Sequence, residues 1–174
     1  MKTPADRPDA ETPEARLLEL SRAHGIRLAC AESCTGGLVA ARLTRLAGSS
    51  DMFDRGIVTY SDDAKMSLLG VRKATLDAVG AVSEEVAREM VEGLRAGAKA
   101  GLAVSITGIA GPGGSEHKPE GRVCFGLAFA ESSGLATRTE TVEFGALGRE
   151  NVRQASCEHA LQLLIAGFAE LFHD

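Results

Sequence analysis

Apolar and polar positions along the chain follow two spacings, that of buried strands and that of helices. Short, mostly apolar runs predict strands at 26–31, 53–60, 102–107, 123–130 and 136–144. Apolar residues at three- and four-residue spacing predict helices at 15–24, 38–43, 64–69, 83–99 and 149–171. Strands that alternate with helices along one chain predict an α/β fold. We expect a three-layer α/β/α sandwich with a mixed, mostly parallel sheet of about five strands.

The length of the chain favours a single core. Its 174 residues are near the mode for single domains. Residues 1–13, rich in Pro, Asp and Glu, predict a flexible N-terminal lead, and residues 14–174 predict a single domain. The last predicted helix has more apolar surface than one stripe needs, which suggests a possible homodimer. Its apolar residues are Leu161, Leu163, Leu164, Ile165, Phe168 and Leu171.

Charge, apolar runs and cysteine spacing each exclude a class of protein. With 19 basic and 24 acidic residues, the net charge is −5, without the basic excess that nucleic-acid binding uses. No apolar run is long enough to span a membrane, and the N-terminus does not resemble a signal peptide. Cys30, Cys34, Cys124 and Cys157 include no CxxC pair, which favours reduced, buried thiols. We therefore predict a cytoplasmic protein that binds neither nucleic acid nor membrane.

Polar residues follow three of the predicted strands, at the carboxyl ends where open α/β sheets bind ligands. Ser33 and Thr35 follow the first strand, Tyr60 ends the second, and Thr107 ends the third. Ser33 is on a strand-to-helix turn, where its hydroxyl would be near backbone N–H groups that suit an oxyanion or a phosphate. The alternative is that Ser33 or Thr35 only caps the following helix.

A serine nucleophile needs a proton acceptor, and the four histidines are poorly placed to provide one. No GxSxG motif supports a Ser-His-Asp triad. Lys65 follows the strand end that carries Tyr60 by about one helical turn, and lysine can act as a base when burial lowers its pKa. Tyr60 could relay the proton or hold the lysine. The alternative is an exposed Lys65 on a solvated helix face.

A glycine-dense loop at 108–114 follows the third strand. It lacks the ending of a Walker A motif and does not match GxGxxG, so neither nucleoside triphosphates nor dinucleotides are indicated. Its backbone N–H groups could bind one phosphate or carboxylate. The alternative is a flexible surface loop.

Four separated motifs combine these features. They are Ala31-Glu32-Ser33-Cys34-Thr35-Gly36-Gly37, Val58-Thr59-Tyr60-Ser61 with Lys65, Thr107-Gly108-Ile109-Ala110-Gly111-Pro112-Gly113-Gly114, and Lys118-Pro119-x-Gly121. In this order they resemble the CinA C-terminal domain, the nicotinamide-nucleotide amidase family, in its stand-alone form. The similarity extends over about residues 15–171.

The resemblance implies hydrolysis of the carboxamide of nicotinamide mononucleotide, giving nicotinate mononucleotide and ammonia in pyridine nucleotide recycling, without a metal or other cofactor. It implies Ser33 as the nucleophile, Lys65 as its general base, Tyr60 as a partner of that lysine, and Thr107 as a polar group near the reacting centre. The residues expected to bind the nucleotide are Thr35, Gly36, Gly37, Gly108, Gly111, Gly113, Gly114, Arg149 and Arg153. The alternative is a catalytically silent nucleotide-binding module in competence or DNA-damage response.

Two positions depart from the family pattern. Asp62 stands where the family often has Asn, and its charge near Lys65 is expected to raise the pKa of the lysine. Leu147 and Gly148 precede Arg149, where an acidic residue is common. The second departure weakens the assignment of Arg149 relative to that of Ser33.

Overall fold

A computed structural model describes residues 12–172, which form one α/β unit. Its helices are α1 (Pro13–His24), α2 (Leu38–Leu43), α3 (Asp62–Leu69), α4 (Lys73–Val79), α5 (Glu84–Gly97) and α6 (Arg149–Phe172). Its strands are β1 (Leu28–Glu32), β2 (Phe53–Val58), β3 (Leu102–Gly108), β4 (Arg122–Phe129) and β5 (Arg138–Glu143).

The five described strands form one mixed sheet in the order β2-β1-β3-β4-β5. Strand β1 is parallel to both β2 and β3. Strands β3 and β4 are antiparallel, as are β4 and β5. Parallel neighbours need a helical crossover, whereas β3, β4 and β5 follow one another without an intervening α-helix. The mixed five-stranded sheet is confirmed, but parallel and antiparallel pairings occur equally, so "mostly parallel" overstated the parallel share.

Helices cover both faces of the sheet, which confirms the three-layer arrangement. The larger apolar cluster joins α1, α2 and α6 to one face through residues such as Leu17, Val39 and Leu161. A second cluster joins α3, α4 and α5 to the other face through residues such as Leu69, Leu76 and Met90. Because both faces are covered, β1 and nearly all of β3 and β4 are buried. Only the two edge strands have exposed positions, which explains the continuous apolar runs of the central strands.

One helix was not predicted, and one predicted boundary needs correction. The helix α4 was not predicted, because its seven residues bury only Leu76 and so show no apolar period. The predicted lead at 1–13 lies largely outside the described residues, but Pro13 already begins α1, whose first turn is capped by the Thr12 side chain.

The apolar residues of α6 are covered within the protomer. Leu161 and Leu164 are fully buried and Phe168 nearly so, while the other three pack against the same core cluster. The homodimer suggested by these residues stays a prediction.

The described residues also bear on the membrane and cysteine predictions. Within 12–172, none of the helices combines the length and the apolar character needed to cross a membrane. All four cysteines are free and buried, as their spacing indicated.

Candidate active site

Three parallel strands, β2, β1 and β3, end at the same edge of the sheet and bring together residues that are far apart in the sequence. The backbone pairing continues past the strand ends: the Ser33 N–H donates to the Ile106 carbonyl at 3.0 Å, and the Thr59 N–H donates to the Glu32 carbonyl at 2.8 Å. The first residues of each connection are therefore held almost as firmly as the strands. This is the sheet edge at which the sequence predicted a ligand site.

Ser33 and Lys65 are within hydrogen-bonding distance. The Lys65 Nζ atom is 3.0 Å from Ser33 Oγ and also donates to the Thr59 carbonyl at 2.9 Å. Lys65 extends inward from α3, whose first turn is capped by the Ser61 side chain. The lysine is only 2% exposed. The exposed lysine that the sequence left open as an alternative is therefore ruled out.

Burial lowers the pKa of Lys65 below its ordinary value of 10.5. Removing the amine from water disfavours its charged form, while the negative charge of Asp62 favours that form and opposes the shift. Asp62 thus raises the pKa of Lys65, as predicted, but the lowering of that pKa by burial is larger. The neutral amine at this position can accept the proton of the Ser33 hydroxyl.

The turn between β1 and α2 is anchored by Glu32, to which the sequence reading gave no role. Its buried carboxylate accepts hydrogen bonds from the backbone N–H groups of Gly37, Val39 and Ala40, at 3.0, 3.2 and 2.9 Å. Of these, the Gly37 N–H belongs to the turn whose donors the sequence favoured for an oxyanion, and it is occupied by the protein itself. A sequence signal was available, because Glu32 is the one charged residue in the buried strand β1.

Two other N–H groups of the same turn have no hydrogen-bond acceptor among the described residues. Within residues 12–172, the Cys34 and Thr35 N–H groups donate to no acceptor, whereas the Ser33 and Gly36 N–H groups do. The Gly36 and Gly37 backbones have positive φ values of 60° and 105°, which L side chains rarely adopt. The Cys34 N–H immediately follows the candidate nucleophile, as in hydrolases whose oxyanion hole includes the next residue, whereas Thr35 is fully inaccessible.

Tyr60 contacts Arg149, which corrects the expectation that Tyr60 holds Lys65. The Tyr60 hydroxyl accepts a hydrogen bond from Arg149 Nη2 at 2.5 Å, and Arg149 Nη1 donates to the Gly111 carbonyl at 2.8 Å. Tyr60 follows the strand end with its side chain 59% exposed, whereas Lys65 approaches from the protein interior. The Thr59 carbonyl, not the Tyr60 hydroxyl, is the second partner of the lysine.

Arg153 forms hydrogen bonds to the turn between β1 and α2 that carries Ser33. Its guanidinium donates to the carbonyls of Cys34 and Thr35, at 3.2 Å each, and forms an ion pair with Glu150 at 2.8 Å. In a trans peptide the C=O and N–H groups point in opposite directions. Because the Cys34 carbonyl points to Arg153, the Thr35 N–H points away from it.

The glycine loop is partly filled by an acidic side chain. Glu120 accepts from the Gly113 N–H at 2.6 Å and from the Gly148 N–H at 2.9 Å. Gly111 has a φ of 87°, which L side chains rarely adopt, and a Cβ there would be 2.5 Å from the Glu120 side chain. The loop does bind a carboxylate, but that carboxylate belongs to the chain.

Gly108 and Gly114 are sites of close backbone approach. A Cβ would lie 2.7 Å from Val123 at Gly108 and 2.6 Å from the Lys118 carbonyl at Gly114.

Two threonines complete the predicted set. The buried Thr107 hydroxyl donates to the Ala81 carbonyl at 2.8 Å. The Thr35 hydroxyl is fully buried and has no partner among the described residues. Thr107 therefore ties β3 to the α4–α5 connection.

Lys118 of the fourth motif fastens the same connection. Its Nζ donates to the Val79 carbonyl at 2.6 Å and also contacts the Val82 carbonyl.

A cavity of about 620 Å³ lies between the α4–α5 connection and the glycine loop, and Ser33 and Lys65 do not line it. Its lining includes Leu76, Gly80, Ala81, Ile109, Ser115 and Lys118.

No group of three or more His, Cys, Asp or Glu side chains within 12–172 is arranged to hold a metal ion. The chemistry that can be read directly from this site is that of a hydroxyl, an amine and backbone donors.

The fold and the site together define an α/β domain whose reactive side chains collect at the ends of three parallel strands. The chain belongs to the CinA C-terminal domain family, whose model matches residues 10–168.

Known proteins similar to the chain include both short and long members of this family. It is 46% identical over 165 residues to the nicotinamide-nucleotide amidohydrolase PncC of Escherichia coli, covering 90% of the chain and 98% of that protein. It is also 46% identical to a CinA-like protein of Chloroherpeton thalassium over 88% of this chain. The match spans only 37% of that longer protein. A crystal structure of a competence/damage inducible protein from Agrobacterium tumefaciens superposes with a TM-score of 0.79 at 42% identity, covering 87% of this chain and 94% of that one.

Proposed function

We propose that the chain is a nicotinamide mononucleotide amidohydrolase that uses Ser33 as nucleophile and Lys65 as general base. The single observation that carries the mechanism is the 3.0 Å separation of Lys65 Nζ and Ser33 Oγ, with the lysine buried. The substrate is suggested by similarity to the E. coli protein, which is named for this reaction and is matched over 98% of its length.

In the first half of the proposed reaction, neutral Lys65 removes the proton of the Ser33 hydroxyl as Oγ attacks the carboxamide carbon. The carbonyl oxygen becomes an oxyanion, for which the unpaired N–H group of Cys34 is the candidate donor. The tetrahedral intermediate collapses by breaking the C–N bond. The Lys65 ammonium returns its proton to the leaving nitrogen, which departs as ammonia and leaves an ester on Ser33.

In the second half, water attacks the ester carbon while Lys65 accepts a proton from that water. Breaking the C–O bond to Ser33 releases nicotinate mononucleotide, and the proton on Lys65 returns to Ser33 Oγ. One water molecule is consumed and one ammonia is released, so atoms and charges balance without another reactant.

For the 5′-phosphate, we propose Arg149 as the principal contact. Among residues 12–172, no carboxylate forms an ion pair with Arg149, whose hydrogen bonds go to the neutral Tyr60 hydroxyl and Gly111 carbonyl. Arg153, by contrast, is paired with Glu150 and bonded to the nucleophile turn. An exposed, unpaired guanidinium next to the strand ends suits a phosphate dianion.

The experiment that tests the function compares ammonia release from nicotinamide mononucleotide, its riboside and free nicotinamide. We expect activity on the mononucleotide alone, because the proposed contact with Arg149 requires the 5′-phosphate. Tight binding of the mononucleotide without ammonia release, at enzyme concentrations equal to substrate, would favour the silent binding module instead.

Replacing Arg149 by Gln should weaken substrate binding. A charged hydrogen bond contributes about 1.5–3 kcal/mol, so we expect KM for the mononucleotide to rise by roughly 10- to 100-fold with kcat much less changed. Steady-state kinetics will measure this. Arg138→Gln, which removes the surface ion pair with Glu170, is the control and should leave KM unchanged. An equal loss of binding for the mononucleotide and its riboside would contradict a phosphate contact.

The pH dependence should respond to Asp62. Because the Asp62 charge raises the pKa of Lys65, Asp62→Asn should move the rising limb of the kcat/KM profile to lower pH. The measurement is kcat/KM from about pH 6 to 10, a range that brackets titration of a lowered lysine pKa. Asp63→Asn removes the neighbouring carboxylate in the same helical turn and should leave the limb in place. Identical profiles for all three proteins would argue against Lys65 as the titrating base.

A further inference from the structure

Glu32 is buried without a counter-ion and makes no contact that the proposed reaction requires. Its side chain is fully inaccessible, and it forms no ion pair with the Lys, Arg or His residues of the described range. Buried charges that lack a cation are costly unless hydrogen bonds replace the lost water. The three backbone N–H groups of Gly37, Val39 and Ala40 provide that replacement.

The hydrogen bonds of Glu32 span the turn that carries the nucleophile. Glu32 is the last residue of β1, directly before Ser33, and its carboxylate reaches five to eight residues along the chain. One side chain thus ties the end of the strand to the beginning of α2. The segment between these points contains Ser33 and the unpaired N–H group of Cys34.

Arg153 holds the same segment from the opposite direction. Its guanidinium donates to the carbonyls of Cys34 and Thr35, while the Glu32 carboxylate accepts from the N–H groups beyond Gly36. With both ends of the turn fixed, the peptide between Ser33 and Cys34 has its carbonyl bonded to the Gly36 N–H, so the Cys34 N–H is directed the other way. A preorganised donor stabilises a developing oxyanion without reorganisation during the reaction.

We propose that Glu32 is a positioning residue for catalysis, which holds the Ser33–Gly37 turn so that the Cys34 N–H group remains aligned with the Ser33 hydroxyl. This inference rests on the proposed amidohydrolase function. Since Glu32 acts on groups that meet the oxyanion, its removal should affect the transition state more than the bound substrate.

Glu32→Gln is the informative change because it keeps the size of the side chain and removes its ability to accept at both ends. One carboxylate oxygen accepts from Gly37 and Val39, and the other accepts from Ala40 and the Cys30 thiol. In either orientation of the amide, its NH2 group must face a backbone N–H donor. At least one anchoring hydrogen bond is lost and two donors are brought together.

The test measures kcat and KM for ammonia release from nicotinamide mononucleotide at a temperature where circular dichroism shows the variant folded. We expect kcat to fall about 100-fold, the loss typical of one impaired oxyanion donor, with KM changed less than about threefold. The matched control is Glu14→Gln. Glu14 is also fully buried and contacts α2, through Arg42, but lies away from the turn. The Glu14→Gln variant should be less stable than wild type while keeping the wild-type kcat.

Each result decides the proposal. Unchanged kcat in folded Glu32→Gln, or an equal fall in Glu14→Gln, overturns it. If Glu32→Gln does not fold, Glu32→Asp, which keeps the charge on a shorter side chain, replaces it, and a kcat that matches wild type again overturns the proposal. If the wild type itself releases no ammonia, the proposed function fails. Amide hydrogen exchange at Gly37, Val39 and Ala40, faster in the variant, then tests the anchor independently.

Discussion

Ser33→Ala is expected to reduce ammonia release from nicotinamide mononucleotide by about 10⁴-fold or more, because it removes the proposed nucleophile. The substitution removes only Oγ. The Ser33 N–H bond to the Ile106 carbonyl and the Lys65 bond to the Thr59 carbonyl do not depend on that atom. The turn should therefore keep its shape, and the variant should still bind the nucleotide.

The measurement combines kinetics, binding and mass spectrometry. Calorimetric Kd for the variant should stay within about tenfold of the wild-type KM, since the lost atom contributes no charge to binding. Acid quench of the wild type during turnover should reveal an acyl adduct on the peptide containing Ser33, and the variant should show none. Ser156→Ala removes a buried hydroxyl from α6 and serves as control. Wild-type rates of ammonia release in Ser33→Ala would refute the serine mechanism.

The Ser33–Lys65 pair could be predicted because its geometry follows from the sheet. The two residues are 32 positions apart, but each follows a strand of the same parallel set, and parallel strands end at one edge. The sequence placed both strand ends from their apolar runs. It could not specify that the lysine is buried, since helix α3 has only two buried residues, Lys65 and Leu69.

The contacts made by exposed side chains were beyond prediction. Arg149 and Tyr60 are 89 positions apart, and both lie on the surface, where neither hydrophobic periodicity nor strand pairing fixes neighbours. The partner of Tyr60 was therefore misassigned. The carboxylates of Glu32 and Glu120 illustrate a second limit. Both satisfy backbone N–H groups of turns, and a pattern of residue types does not tell whether such groups are open to a ligand or filled by the chain.

Lys65→Met is the second large effect, and it should separate activity from stability. Methionine matches the lysine side chain in length but cannot accept a proton. We expect kcat to fall about 10³-fold, in the range attributed to general base catalysis. Lys65→Arg keeps a cation at the site but cannot act as a base, and should lose activity to a similar extent. Lys73→Met, which affects only the exposed pair with Asp77, is the control for a lost lysine.

The same substitution should change the free energy of unfolding by an amount that depends on pH. Because burial lowers the pKa of Lys65 in the folded state, the protonated lysine destabilises the fold relative to the unfolded chain. This penalty is complete below the folded pKa and disappears as pH rises from that value toward 10.5, the ordinary value that applies when unfolded. The advantage of Lys65→Met over wild type in urea unfolding should therefore be larger at pH 7 than near pH 10. The two hydrogen bonds lost with the amine reduce the advantage equally at both pH values and leave its pH dependence intact. A difference that is independent of pH would show that Lys65 is not destabilised by its burial, and would remove the physical reason for its acting as a base near neutrality.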